Sequence, residues 1–115
     1  MKKLSVGLVL AGMLLAAEAD AGSLWGAGTA SCGRWVTDRR NAPSTALFEF
    51  SWVQGYITGL NSGMPSSYTN NGQVGAQLDI NAAEVWLDNY CQAHPLDHLA
   101  DAADQLYTYA RSRNE

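Results

Sequence analysis

The sequence predicts an all-α domain of three or four helices stapled by one disulfide. Three observations carry that expectation. Apolar residues recur with the 3.6-residue helical period, helix-opening and helix-breaking residues bracket those stretches, and two cysteines follow an N-terminus with the layout of an export signal. No run of alternating apolar and polar residues is long enough to argue for a sheet.

Lys2 and Lys3 precede an apolar run from Leu4 to Ala17, and Ala19-Asp20-Ala21 offers a small-x-small cleavage site before Gly22. That order reads residues 1–21 as a signal peptide and sends the mature chain to the periplasm or the exterior. The apolar run is shorter than the ~20 residues of a spanning helix, so no stable membrane insertion is expected after cleavage. Gly22 to Glu115 then suffices for one domain. This stretch holds five arginines, no lysine and nine carboxylates, a formal charge of −4. Nucleic acid calls for clustered Lys and Arg, and an anionic membrane surface for a polybasic face; neither is present.

Residues 22–31 (GSLWGAGTAS) are rich in Gly, Ala and Ser, carry the hydrophobe pair Leu24-Trp25, and read as a flexible N-terminal segment. The helical domain is expected over 32–115. Cys32 to Arg40 supplies one or two helical turns anchored by Trp35 and Val36, and Asn41-Ala42-Pro43 breaks the chain. Ser44 is placed as the N-cap of the clearest helix, running to Asn61. Its apolar set Phe50, Val53, Ile57 and Leu60 has helical spacing, and Phe48, Trp52 and Tyr56 add a second stripe, so this helix is expected at the centre. Gly55, Gly59 and Gly63 recur every four residues and suggest a strip for tight packing. Asn61 to Gln77 reads as a long polar connector, with a tight turn at Asn71-Gly72.

Asn81 and Glu84 have the spacing of a capping box that opens the next helix, through Trp86, Leu87, Tyr90 and Cys91. Pro95 interrupts it and is placed in the first turn of the last helix, whose stripe is Leu96, Leu99, Ala103, Leu106, Tyr107 and Ala110. Asp97, Asp101 and Asp104 fall early in that helix and Arg111 and Arg113 late, as its dipole favours.

Cys32 and Cys91, in a chain bound for an oxidising compartment, read as an intramolecular disulfide. Closing a loop of about 60 residues is worth on the order of 4 kcal/mol in the chain-entropy model. His94, His98 and Asp101 would share one face of a continuous helix as metal ligands, but Pro95 disturbs that geometry, so neither metal nor cofactor is expected. No Ser lies in a G-x-S-x-G setting, and Asp97, Asp101 and Asp104 look like a solvated helix face. A small hydrolase is therefore the third reading, behind two non-enzymatic ones. Large rings are abundant for the size: Trp35, Trp52, Tyr56, Tyr68 and Trp86 are the candidate binding surface, suited to a protein partner or client wherever they stay exposed.

The stretch Val85-Trp-Leu-Asp-Asn-Tyr-Cys91-Gln-Ala-His-Pro95-Leu-Asp-His-Leu99 resembles a segment of the HdeA/HdeB-like small periplasmic proteins, in which a helix ends in Tyr-Cys shortly before Asn/His-Pro. That resemblance implies a cysteine partner at the start of the domain, where Cys32 stands. It also implies a stress chaperone, a homodimer that opens in acid and holds unfolding clients on apolar surface. The chain departs from that pattern in having no lysine after residue 21. The Gly55-Tyr-Ile-Thr-Gly59 segment, with the later Pro-x-x-x-Leu helix, also looks like Tai-type periplasmic immunity proteins. These imply the alternative, a preformed surface that neutralises a secreted toxin.

Overall fold

The computed structural model describes residues 23–115; the signal-peptide reading and Gly22 lie outside them. Four helices form, α1 (Cys32–Asn41), α2 (Pro43–Gly63), α3 (Ile80–Ala93) and α4 (Leu99–Ser112), preceded by a 3-10 turn at Gly26–Thr29. Among the described residues there is no strand, only an isolated bridge between Ser31 and His98. The all-α expectation with one disulfide therefore holds: Cys32 and Cys91 are bonded, with Cα atoms 4.6 Å apart. No helix among the described residues is long and apolar enough to cross a membrane.

The helix starts differ from the sequence expectation at three places, each for a local reason. Ser44 does not cap α2. Pro43 occupies its first position, where a missing N–H costs nothing, and Ala42 alone separates α1 from α2. Asp79, not Asn81, caps α3, its carboxylate accepting from the Ala82 N–H at 2.9 Å. Pro95 does not open α4. It sits in the 94–98 turn, because the carbonyls of Pro95 and Asp97 accept from the N–H groups of Gly33 (3.0 Å) and Cys32 (2.7 Å). His98 is the N-cap instead, with Asp101 accepting from its N–H at 2.8 Å.

The central place expected for α2 belongs to α4. Seven residues of α4 are buried against four of α2, because α4 touches the other three helices and the 3-10 turn, whereas α2 leaves its outer stripe to solvent. The main core gathers Cys32 and Trp35 of α1, Phe50 and Val53 of α2, Leu87 and Cys91 of α3, and Leu99 and Leu106 of α4. Burying each such side chain contributes about 1.5–3 kcal/mol. Gly55, Gly59 and Gly63 are not the packing strip expected of them, since a Cβ at any of the three would meet open space. Close approach occurs at Gly28, where a Cβ would run into the Trp52 indole.

The polar stretch after α2 is a chain of turns built around the buried residues Thr69 and Val74. Asn70, Asn71 and Gly72 take positive φ in succession (51°, 60° and 76°), a conformation that Asn and Gly tolerate best. The Thr69 hydroxyl accepts from the Gly72 N–H at 2.8 Å. Val74 packs with Tyr107 and Ala110 in a second cluster, and Gly75 N–H donates to the Glu115 carbonyl at 2.7 Å. Asn61 links these parts, donating to the Val74 carbonyl and accepting from the Tyr107 hydroxyl. The stretch is thus built into the fold rather than merely spanning it.

Candidate functional site

The five aromatic residues singled out from the sequence do not form one surface. Trp35 is fully buried, and its indole N–H donates to Asp88 at 2.9 Å, so it belongs to the core and not to any exposed face. The disulfide puts it there by drawing the first turn of α1 against the last turn of α3. Arg39, one turn further along α1, bonds both Asp88 (3.0 Å) and Glu84 (3.1 Å) of α3 and lies over the Trp35 ring. The bond to Asp88, more than any other influence, raises the Arg39 pKa.

Trp52 and Tyr56 stack one turn apart on α2, ring centroids 5.2 Å apart. The Trp52 N–H donates to the Trp25 carbonyl at 2.7 Å, and the Tyr56 hydroxyl donates to Asp104 of α4 at 2.6 Å. Burial and then this bond push the Tyr56 phenol up to about 12. Tyr68 stacks on Tyr107 beneath the Arg111 guanidinium, 4.0 Å above its ring. Trp86 stacks on Tyr90, which stacks in turn on His94, while Tyr109 tilts against Trp86. The Tyr90 hydroxyl donates to Asp97 at 2.7 Å, a bond that leads burial in pushing its phenol up to about 12.

His94, His98 and Asp101 are not drawn into a metal site. The His94 ring is engaged with Tyr90 through stacking and a 2.9 Å contact to its carbonyl, while Asp101 is spent on the cap at His98. Among the described residues no group of three His, Cys, Asp or Glu side chains could hold a metal ion.

Leu96, expected in the apolar stripe of α4, instead stands 93% exposed in the 94–98 turn, because α4 begins only at Leu99; the exposed aromatic residues lie elsewhere. Trp25 is 81% exposed and Phe48 67%. Both adjoin Trp52: Trp25 through the indole hydrogen bond, Phe48 by preceding it one turn on the same stripe of α2. Leu47, also exposed, extends the patch along the helix. Phe48 shares the helical period of Trp52 and Tyr56, which is why spacing alone reads it as core. The Leu24-Trp25 pair was the visible sign that the N-terminal segment carries something to bury or present.

A second feature is a groove of about 270 Å³ between α2 and α3. Phe50, Val53 and Ile57 line one wall, Ile80 and Ala83 the other, with Leu106 also lining it and Gln54 and Thr58 contributing polar groups. A third is Glu49, a carboxyl only 2% exposed at the α1–α2 seam, with one oxygen that has no partner. Among the described residues neither surface feature brings a nucleophile to a base, and both offer apolar surface suited to binding. Compared with family models, curated proteins and solved structures, the chain finds no match.

Proposed function

We propose that this chain is a small, exported, non-enzymatic binding protein of the periplasm or cell exterior that holds a protein partner on the Trp25–Leu47–Phe48 patch. The observation that carries the reading is two aromatic residues standing 81% and 67% exposed, one whose carbonyl accepts from the Trp52 indole and one a turn before Trp52 on α2. Large apolar side chains held in water favour being covered, and large aromatics are the side chains that contribute most at protein interfaces. The disulfide fits the oxidising compartment that the reading requires.

In its first form the partner is an unfolding client and the chain is a stress chaperone of HdeA/HdeB-like type. The test is light scattering from an aggregating client at neutral pH and at about pH 3, where such proteins would loosen. Suppression by the wild type that is lost in a Trp25→Ser/Phe48→Ser variant supports this form, and no suppression at either pH removes it. The second form is an immunity-type protein. What favours it is that the patch is already exposed in the closed, disulfide-bonded fold, so no opening step is needed. A saturable complex with a single partner, weakened by the same variant, supports that form, and a chain that binds clients without discrimination counts against it.

A further inference from the structure

We propose that Glu49 of α2 and Asp38 of α1 hold one proton in common, making the α1–α2 seam a proton-dependent clasp that is closed in mild acid and strained above neutrality. Glu49 is 2% exposed, and the Asp38 side chain, the charged neighbour that acts on it most strongly, is 14% exposed. The nearby cation is Arg34, which reaches Asp38 at 3.3 Å from a side chain that is itself 65% exposed. Two ionised carboxylates against one solvated guanidinium would leave a buried negative charge uncompensated, a state proteins avoid by taking up a proton.

Hydrogen-bonding capacity leads to the same conclusion. Two ionised carboxylates cannot bond one another because both only accept; for the pair to bond, one must carry a proton and donate. Among the described residues Arg34 is the cation that acts on Glu49; Arg39 of α1 is bonded to Glu84 and Asp88 of α3, and Arg40 lies exposed at the far end of α1. The 3-10 turn has no charged group, and the nearest α4 carboxylate fixed to α2, Asp104, is engaged by Tyr56 two turns away. Glu49 Oε2 is buried with no hydrogen-bond donor to satisfy it. Burial first, and Asp38 second, push Glu49 up from 4.5 to about 7, with Arg34 pulling the other way.

The direction of the pH effect follows. A carboxyl whose folded pKa is raised binds more protons folded than unfolded between the two values. Its stabilising contribution is fully present below the unfolded value of 4.5 and is lost as pH rises through about 7. Mild acid therefore tightens this seam, and any opening of the molecule in strong acid must begin elsewhere.

The experiment uses the oxidised chain. Urea unfolding at pH values spanning about 5 to 8 should show the wild-type folding constant falling by as much as tenfold per pH unit up to about 7 and then levelling. Glu49→Gln should remove that slope. Infrared difference spectra should show a protonated-carboxyl band at about pH 6 that vanishes at about pH 9 and is missing from Glu49→Gln. In Asp38→Asn, whose amide can donate to an ionised Glu49, the titration should move clearly towards the ordinary carboxylate value. A flat wild-type profile, or no protonated-carboxyl band at the lower pH, overturns the shared proton. An unmoved Glu49 titration in Asp38→Asn overturns the pair, leaving burial as the sole cause. Should Glu49→Gln fail to fold, the infrared titrations of wild type and Asp38→Asn decide the matter alone.

Discussion

Along one side α3 is bound to α1 by a covalent bond and a charged network; along the other it stands off α2 across a groove. The contrast has a residue-level cause. The α1 side of α3 presents Glu84, Leu87, Asp88 and Cys91, and α1 answers with Cys32, Trp35 and Arg39, so an apolar contact, a disulfide and four polar bonds coincide on one seam. The α2 side of α3 presents Ile80 and Ala83 to Phe50 and Val53, with no bond to fix their spacing. Apolar packing alone does close α3 on α4, through Leu87, Leu99 and Leu106 and the Trp86–Tyr109 contact, so the groove marks a place where neither apolar bulk nor a polar pair fills the space between α2 and α3.

The largest effect that would break this comparison is removal of the staple. Cys32→Ser/Cys91→Ser should lower unfolding stability by about 2–5 kcal/mol, read as an earlier urea midpoint, because the unfolded chain regains the freedom of a 59-residue separation. A loss of only a few tenths would show that the polar network holds the seam unaided. Asp88→Ala should come next. It strands the Trp35 indole N–H and one side of Arg39, at about 1–3 kcal/mol for the buried donor. Chemical denaturation of this variant and of Glu84→Ala, which leaves Trp35 satisfied, should rank the first well below the second in stability.

Comparable and then smaller effects are expected on the outer stripe of α2 and the turn that covers it. Gly28→Ala forces a Cβ into the Trp52 indole and should cost about 1–3 kcal/mol, with a change in tryptophan fluorescence as the ring moves. Phe48→Ser, at an exposed position, should leave stability within about 0.5 kcal/mol of wild type while weakening partner binding. A large stability loss from that substitution would mean that Phe48 is covered in the folded protein and would count against the patch as a binding surface.

Much of the fold was legible in residue pattern. The last helix shows it best, since Leu99, Ala103, Leu106, Tyr107 and Ala110 are all buried, whereas Leu96, the sixth residue of the expected stripe, falls in the turn before α4 and is 93% exposed. The disulfide was legible because only two cysteines stand in the chain. Cap positions were less so. Ser44 and Asn81 are good capping residues, yet Pro43 and Asp79 lie one and two positions earlier and decide where each helix begins. Pro95 misleads for another reason: its carbonyl is claimed by Gly33, more than sixty residues away in sequence, and no local rule sees such a partner.

The candidate surface was the least legible part. Trp35, Phe48 and Trp52 all sit at helical spacing among apolar neighbours, but one is fully buried, one exposed and one lies beneath a turn from before α1. Periodicity says which residues share a face of a helix; it does not say what, if anything, covers that face. The sequence by itself determined that the chain is helical, that its cysteines pair and that α4 carries one apolar face, because these follow from local backbone preference and from composition. Only the tertiary structure decided that α4 and not α2 is central, that Glu49 lies against Asp38, and that Trp25 and Phe48 face solvent. Each of those depends on which helix packs against which, a choice made by contacts far apart in the chain.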